Sequence, residues 1–367
     1  MAADAVRALM VTIADGRAET VTALPAPSVL AARFDVDAET RRRVAANRRA
    51  VRDIVEGVDD RLLVVVGPCS VHDPVATLDY ASRLSVAAAG HAGELLLVLR
   101  AYLEKPRSEL GWKGLLHDPG LDGREDLALG LEVGRRFLTT AASTGLPLAY
   151  EFVDPFLAPF VLDLLSWGAI GARTVASQPH RQLASGVPIP VGMKNTLDGD
   201  VGVAASAVRS ASATHTYPGL GADGTPVVLA GHGNPACHVV LRGGREPNYD
   251  AASVTAAVRV LEAAGLPARV VVDASHGNSG KDHRRQPLVV ANLAEQVARR
   301  QRGLFGVMIE SFLEPGCQRL APGGGELRYG VSVTDACLGW AETERCLDAL
   351  AHAVRRRRER TDNGGWG

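Results

Sequence analysis

LLVVVG (62–67), LLLVLR (95–100), LAYEF (148–152), AIGAR (169–173), PVGMK (190–194), HVVLR (238–242), RVVVD (269–273) and FGVMIE (305–310) are eight short apolar runs spread along the chain. Most are continuously apolar rather than alternating, the pattern of parallel strands buried on both faces. Between them 74–89, 124–144, 155–167, 251–264 and 287–301 read as helices. Eight β-then-α units predict an α/β protein, a (β/α)8 TIM barrel over residues 61–354. Ahead of the first run, DAETRRRVAANRRAVRDIVE (37–56) is a charged amphipathic helix capped by Asp37 or Thr40. It belongs to an N-terminal extension, residues 1–60, whose first thirty residues read as irregular and end at Pro25 and Pro27. Segment 212–237 is too long for a simple connection and predicts an inserted hairpin. RRRRERTDNGGWG (355–367) reads as a disordered basic tail.

The length of 367 residues accommodates such a barrel with its extensions, and 46% hydrophobic against 22% charged residues excludes a wholly disordered chain. Forty Lys and Arg against 41 Asp and Glu leave a net charge of −1, so nothing global favours nucleic acid or an anionic membrane. Five widely spaced cysteines without a C-x-x-C argue against a disulfide-stapled secreted protein. Asp4, Arg7, Asp15 and Arg17 interrupt the apolar stretch that a signal peptide needs, and no run approaches the length of a membrane helix. A cytoplasmic location is expected.

In a TIM barrel the C-terminal strand ends form the active site. Here those ends carry Cys69, Arg100, Glu151, Arg173, Lys194, Arg242, Asp273 with His276, and Glu310. A single charged residue at a strand end is most often a solvated loop start. A whole ring on one mouth is not. Arg100, Lys105, Arg107, Arg173, Lys194 and Arg242 are six cations, more than one phosphate needs, and point to two anionic groups or two phosphorylated substrates. Cys69, His276 and Glu310, with Asp335 after the last strand, form a mixed soft and hard donor set suited to Mn, Fe, Co or Zn. The bland alternatives are a buried thiol for Cys69, a hydrogen-bonded loop residue for His276 and a helix N-cap for Asp335. Two motifs are decoys. Gly219–Gly224 fits G-x-G-x-x-G but opens no helix, and reads as a turn; GNSGK (277–281) lacks the spacing of a phosphate loop. Cys317 and Cys346 read as ordinary thiols.

These residues lie in VVVGPCSVHDP (64–74), LRAYLEKPRSELGWKGLLHDP (99–119), SWGAIGARTVASQPHRQLASG (166–186), PVGMKNTLDG (190–199), CHVVLRGGREPNY (237–249), VVDASHGNSGK (271–281), GVMIES (306–311) and SVTDACLGW (332–340). Together, in this order and from about residue 27 to 354, these stretches resemble the type I 3-deoxy-D-arabino-heptulosonate 7-phosphate (DAHP) synthases, most of all their Phe/Tyr/Trp-regulated bacterial branch. The resemblance implies the same barrel. It implies a metal-dependent condensation of phosphoenolpyruvate with erythrose 4-phosphate that releases phosphate, the first step of the shikimate pathway. It places metal ligands at Cys69, His276, Glu310 and Asp335, and phosphoenolpyruvate contacts at Arg100, Lys105, Arg173, Lys194 and Arg242. The erythrose phosphate site falls on Lys105-Pro106-Arg107 and Ser108, where the branch has Thr. Lys105, Cys69 and His276 are the catalytic residues it implies; the residues do not single out the group that activates the attacking water, a metal-bound water near Glu151 being one candidate. A homodimer or homotetramer is implied, with the N-terminal segment contributing to subunit contacts.

The branch binds its aromatic effector away from the mouth, near the loops after the third and fifth strands. Three places there depart from it: FVDPFLAPF (152–160), Pro188 at a Ser position, and THTYPGLGADG (214–224), which puts Gly219 at another. Feedback inhibition is therefore expected to be weak or lost. Two other readings compete: a sibling synthase using another aldose phosphate, suggested by Ser108, and a catalytically silent paralogue that binds phosphorylated metabolites. The intact set Cys69, His276, Glu310 and Asp335 argues against the silent paralogue.

Overall fold

The computed structural model describes residues 20–321 and 325–362. Eight strands close a parallel barrel: β1 (Leu62–Gly67), β2 (Leu95–Arg100), β3 (Leu148–Glu151), β4 (Trp167–Ile170), β5 (Val191–Lys194), β8 (His238–Leu241), β9 (Val270–Asp273) and β10 (Leu304–Glu310). The barrel order is β1-β10-β9-β8-β5-β4-β3-β2, and β1 pairs β2 with Val64 opposite Leu97 and β10 with Val64 opposite Val307. Each predicted run is a strand. The fourth starts earlier than read, because Trp167 points into the barrel rather than belonging to a preceding helix.

The continuous apolar runs follow from two buried faces. Leu63, Val65, Val98, Ala149, Trp167, Ala169, Val240, Val271 and Met308 fill the barrel interior. Leu62, Val64 and Val66, one residue out of phase, pack outward against the surrounding helices. These include α3 (Pro74–Gly90), α4 (Leu127–Ser143), α5 (Gln178–Gly186), α6 (Val201–Ala211), α7 (Ala251–Ala263), α8 (Gln286–Ala298) and α9 (Trp340–Asp362). In the N-terminal extension, α1 (Pro27–Arg33) precedes α2 (Ala38–Glu56). Asp37 caps α2 by accepting from the Thr40 backbone N–H at 2.7 Å. Val51 and Ile54 of α2 pack onto the interior cluster of the barrel and help to close it.

Four sequence expectations need correction. The segment 155–167 forms two short 3-10 turns, Pro155–Phe160 and Leu162–Leu164, because Pro155 and Pro159 remove the donors a longer α-helix needs. The irregular start gives way at Pro27, which sits at the first position of α1, where its fixed φ is an advantage. The basic tail is helical as far as Asp362. Ala353 and Val354 are buried, and Arg356 and Arg358 pair with Glu295 and Asp60, so the arginines extend α9. Residues 363–367 and 1–19 lie outside the described residues. Asp335 caps no helix and lies in the loop between β10 and α9. The expected hairpin is β6 (His215–Leu220) and β7 (Pro226–Gly231), an antiparallel pair whose turn takes up Gly221–Gly224 of the G-x-G-x-x-G decoy.

Candidate active site

The strand ends deliver their charged residues to one cavity of about 700 Å³. Its walls include Cys69, Arg100, Lys105, Pro106, Arg107, Ser108, Glu151, Arg173, Lys194, Arg242, His276 and Asp335. Of the predicted strand-end residues Glu310 and Asp273 stand behind the wall, both buried; Glu310 reaches the site through Arg100 and His276, and Asp273 through His276. The cations form a floor and a rim. Arg100, Lys194 and Arg242 are buried, Lys105 is half-buried, and Arg107 and Arg173 are exposed.

Each floor cation is held by the fold. Arg100 donates from Nε to Pro68 O, from Nη1 to Met308 Sδ, and from Nη2 to Cys69 O and to Glu310 Oε1 at 2.8 Å. Four of its five N–H groups are thus engaged by protein. Lys194 donates to Glu151 Oε2 at 3.0 Å. Burial would raise the Glu151 carboxyl, but Lys194 and Arg100 outweigh it and keep Glu151 ionised.

Around Cys69, Lys105 Nζ lies 2.7 Å from Cys69 Sγ and 3.3 Å from Asp335 Oδ2. Burial, then Glu310, pushes the Cys69 thiol up to about 11. Burial opposes the charge on Asp335 and on Lys105 too, yet each is stabilised by its partner: Asp335 is held well below the carboxylate range and Lys105 above the usual ammonium value. Cys69, Glu310 and Asp335 present ligand atoms all within 4.8 Å of one another. His276 stands at their edge, with Nε2 3.6 Å from Glu310 Oε1. Its Nδ1 lies 2.8 Å from Asp273 Oδ2 and 2.7 Å from Ser275 Oγ, in a backbone held at φ 54°. Burial works against ionised Asp273, but His276 and Lys194 hold its pKa far down, so it is a firm acceptor. With Nδ1 turned to Asp273 and Ser275, Nε2 is the ring nitrogen on the side of Glu310, the orientation that a metal-binding histidine needs. One thiol, one imidazole and two carboxylates fit a divalent transition-metal ion. The ammonium of Lys105 now takes up two of those donors.

Residues invisible to sequence reasoning build the walls. Asn195 Oδ1 accepts from the Arg242 backbone N–H at 2.8 Å, and its Nδ2 donates to Gly243 O. Asn248 Oδ1 accepts from Gly243 N–H, while Asn278 accepts from Asn248 N–H and donates to Asp273 O. Three asparagines thus staple the loops after β5, β8 and β9, which carry Arg242 and His276. The backbones come so close that a Cβ at Gly243 (φ +73°) would sit 2.5 Å from Asn278 N. Glu104, 1% exposed, accepts from Tyr150 Oη and from the Val153 and Asp154 N–H groups, fixing the strand-end loop just before Lys105.

The DAHP synthetase I family matches residues 34–348. The chain belongs to that family. The Trp-sensitive phospho-2-dehydro-3-deoxyheptonate aldolase of Enterobacter agglomerans is 47% identical over 341 residues, covering 93% of this chain and 98% of that protein. The Tyr-sensitive enzyme of Escherichia coli K12 is 45% identical over 324 residues, or 88% and 91% of the two chains. A solved phospho-2-dehydro-3-deoxyheptonate aldolase from Francisella tularensis superimposes with a TM-score of 0.90 at 40% identity, over 93% of this chain and all of that one. The family membership accounts for the barrel and for the eight motifs, and favours neither the sibling synthase nor the silent paralogue.

Proposed function

We propose that the cations of this cavity form two clamps, one for each of the two phosphorylated substrates of the family's reaction. The chain is a DAHP synthase, 3-deoxy-7-phosphoheptulonate synthase: it condenses phosphoenolpyruvate with erythrose 4-phosphate, releases phosphate, and opens the shikimate route to aromatic amino acids. The observation that supports the residue-level reading is the convergence of six cations and the Cys69, Glu310 and Asp335 cluster on a single cavity.

In this reading Lys194, Arg242 and Arg173 hold phosphoenolpyruvate, with Arg100 beneath, while Arg107 and Ser108 grip the aldose phosphate beside Pro106. Lys105 lies between the two. Bringing two anions together costs electrostatic energy, which the cations offset while fixing the reacting carbons in near-attack geometry. Carbon 3 of phosphoenolpyruvate attacks the aldehyde, water adds at carbon 2, and cleavage of the C–O bond expels phosphate. Cys69, His276, Glu310 and Asp335 would hold a divalent ion, which would supply Lewis-acid polarisation of the aldehyde. The Lys105 ammonium is placed to give its proton to the new alkoxide. Glu151, ionised by Lys194, faces the phosphoenolpyruvate half, where the water must arrive.

The sulfur, nitrogen and oxygen donors support Mn, Fe or Co, with Zn as a further candidate. A homodimer or homotetramer is the proposed assembly; Val29 on α1 and Val228 on the hairpin, 58% and 76% exposed, are apolar positions that a neighbour could cover. Among the described residues no helix is long and apolar enough to cross a membrane, and a cytoplasmic location agrees with the substrates. Purified protein mixed with phosphoenolpyruvate, erythrose 4-phosphate and Mn²⁺ should consume the enolpyruvate absorbance. No loss of absorbance with any of the four metals would overturn the reading.

A further inference from the structure

Tyr102, two residues beyond β2, lines the cavity and is 2% exposed. Its ring packs on the barrel interior and faces two floor cations: the Arg100 guanidinium carbon lies 3.9 Å from the ring centroid and Lys194 Nζ lies 5.7 Å from it. The ring thus has two cation–π partners. The hydroxyl is not, since it is buried and meets no hydrogen-bond partner. An unpaired buried hydroxyl bears its full desolvation penalty, so it needs an acceptor. Burial first, then Glu151, Asp273 and Glu310, push its pKa well above the phenol range against the pull of Arg100. The group stays protonated and acts as a donor. None of these carboxylates takes its proton: Glu151 Oε2 accepts from Lys194, Asp273 Oδ1 from Ser275, and Glu310 Oε1 from Arg100, and the hydroxyl meets none of them.

The acceptor must therefore come from outside the chain. Arg100 and Lys194 are each already paired with a carboxylate, whereas rim residue Arg173 has no ion pair among the described residues. Beside the Tyr102 ring the two floor cations are thus offset by their own carboxylates, whereas Arg173 keeps its charge for a ligand. A carboxylate, which carries less charge than a phosphate, suits the floor. We propose that the Tyr102 hydroxyl is a substrate-contacting residue that donates a hydrogen bond to the carboxylate of phosphoenolpyruvate. The inference rests on the assignment of Lys194 and Arg242 to that substrate.

Tyr102→Phe keeps the ring and removes only the donor. Calorimetric titration of the full-length variant should give a phosphoenolpyruvate Kd about tenfold higher than the unchanged protein. The KM for phosphoenolpyruvate should rise in parallel, and the KM for erythrose 4-phosphate should stay within about twofold. Inorganic phosphate, which lacks the carboxylate, should bind both proteins alike. An unchanged phosphoenolpyruvate Kd would overturn the proposal. So would equal weakening of phosphate, with or without a lowered melting temperature, because the tyrosine would then only support the cavity. Lys194→Ala separates the two levels of the argument. If it too leaves phosphoenolpyruvate binding unchanged, the site assignment fails; if it weakens binding and Tyr102→Phe does not, only this inference fails.

Discussion

Arg173 Nε donates to Ser108 Oγ at 2.8 Å, tying a cation assigned to phosphoenolpyruvate to the loop assigned to the aldose phosphate. The bond uses Nε, and the two terminal nitrogens of Arg173, which make no hydrogen bond among the described residues, can meet a phosphate end-on. Ser108→Ala should therefore raise the KM for phosphoenolpyruvate as well as that for erythrose 4-phosphate, each by roughly three- to tenfold, the range of one exposed charge-assisted bond. Ser108→Thr keeps the hydroxyl and should change both by less than about twofold. Steady-state kinetics with each substrate varied in turn checks this, and an effect confined to the aldose phosphate would break the proposed link.

The proposed metal site predicts metal-dependent activity. Exhaustive chelation should abolish turnover, and Mn²⁺, Co²⁺ or Fe²⁺ should restore it. Cys69→Ala removes the only sulfur of a set whose ligand atoms lie within 4.8 Å of one another. It should lower kcat by at least about two orders of magnitude, or about 3 kcal/mol of transition-state stabilisation. Equilibrium dialysis of Mn²⁺ against the variant should show weakened binding. Full activity after chelation would remove the metal from the reaction.

His238 gives the barrel a sensitivity to acid that is independent of the active site. The ring is buried in the barrel, donating from Nδ1 to Ala236 O and accepting at Nε2 from Trp167 Nε1 at 3.2 Å. Burial lowers its pKa from 6.5 to about 4. The folded state thus binds its proton less readily than the unfolded chain. The stability it contributes is complete above pH 6.5 and is lost as pH falls toward about 4. The full difference is worth about 3 kcal/mol, of which about 2 is gone by about pH 5. Urea unfolding at about pH 7.5 and about pH 5 should show His238→Gln losing less stability between the two than the unchanged protein. Equal losses would assign the acid sensitivity elsewhere.

The barrel and the charged ring were legible because both depend on local signals. A strand buried on both faces must be apolar throughout, as Leu62–Gly67 is, and a charged residue ending such a run, as Lys194 and Glu310 do, stands out. The supports were not legible. Asn195, Asn248 and Asn278 come together only when the barrel brings three loops side by side, and no spacing marks them. Glu104 reads as an ordinary loop acid until its three donors are seen. The Pro155–Phe160 turn and the helical arginines after Val354 depart from what composition suggests, because proline chemistry and packing override it there.

The last prediction concerns feedback control. A cavity of about 480 Å³ lies between the Pro155–Phe160 turn, α5 and the hairpin, in the region where the family resemblance places the effector. Among its lining residues only Gln182 and Tyr217 carry polar side-chain groups; Pro155, Pro159, Pro179, Pro218 and Pro226 have no backbone N–H to offer. Gly219 lines it without a hydroxyl, and a Cβ there would lie 2.4 Å from Leu229. Pro188, by contrast, is exposed and does not line the cavity, so the loss of polarity rests on the other positions. An aromatic amino acid brings a charged ammonium and a carboxylate, and each buried group left unpaired costs roughly 1–3 kcal/mol. Two such losses weaken binding by about 30-fold or more. Phe, Tyr and Trp, each at about ten times a usual inhibitory level, should therefore leave the rate of this enzyme largely unchanged. Half-inhibition at micromolar concentration would mean that polar partners reach the cavity from residues 1–19 or from a neighbouring subunit. Deleting residues 1–19 and repeating the titration would then decide between those two sources: inhibition that disappears on deletion assigns the partners to that segment, and inhibition that persists assigns them to the neighbour's described residues.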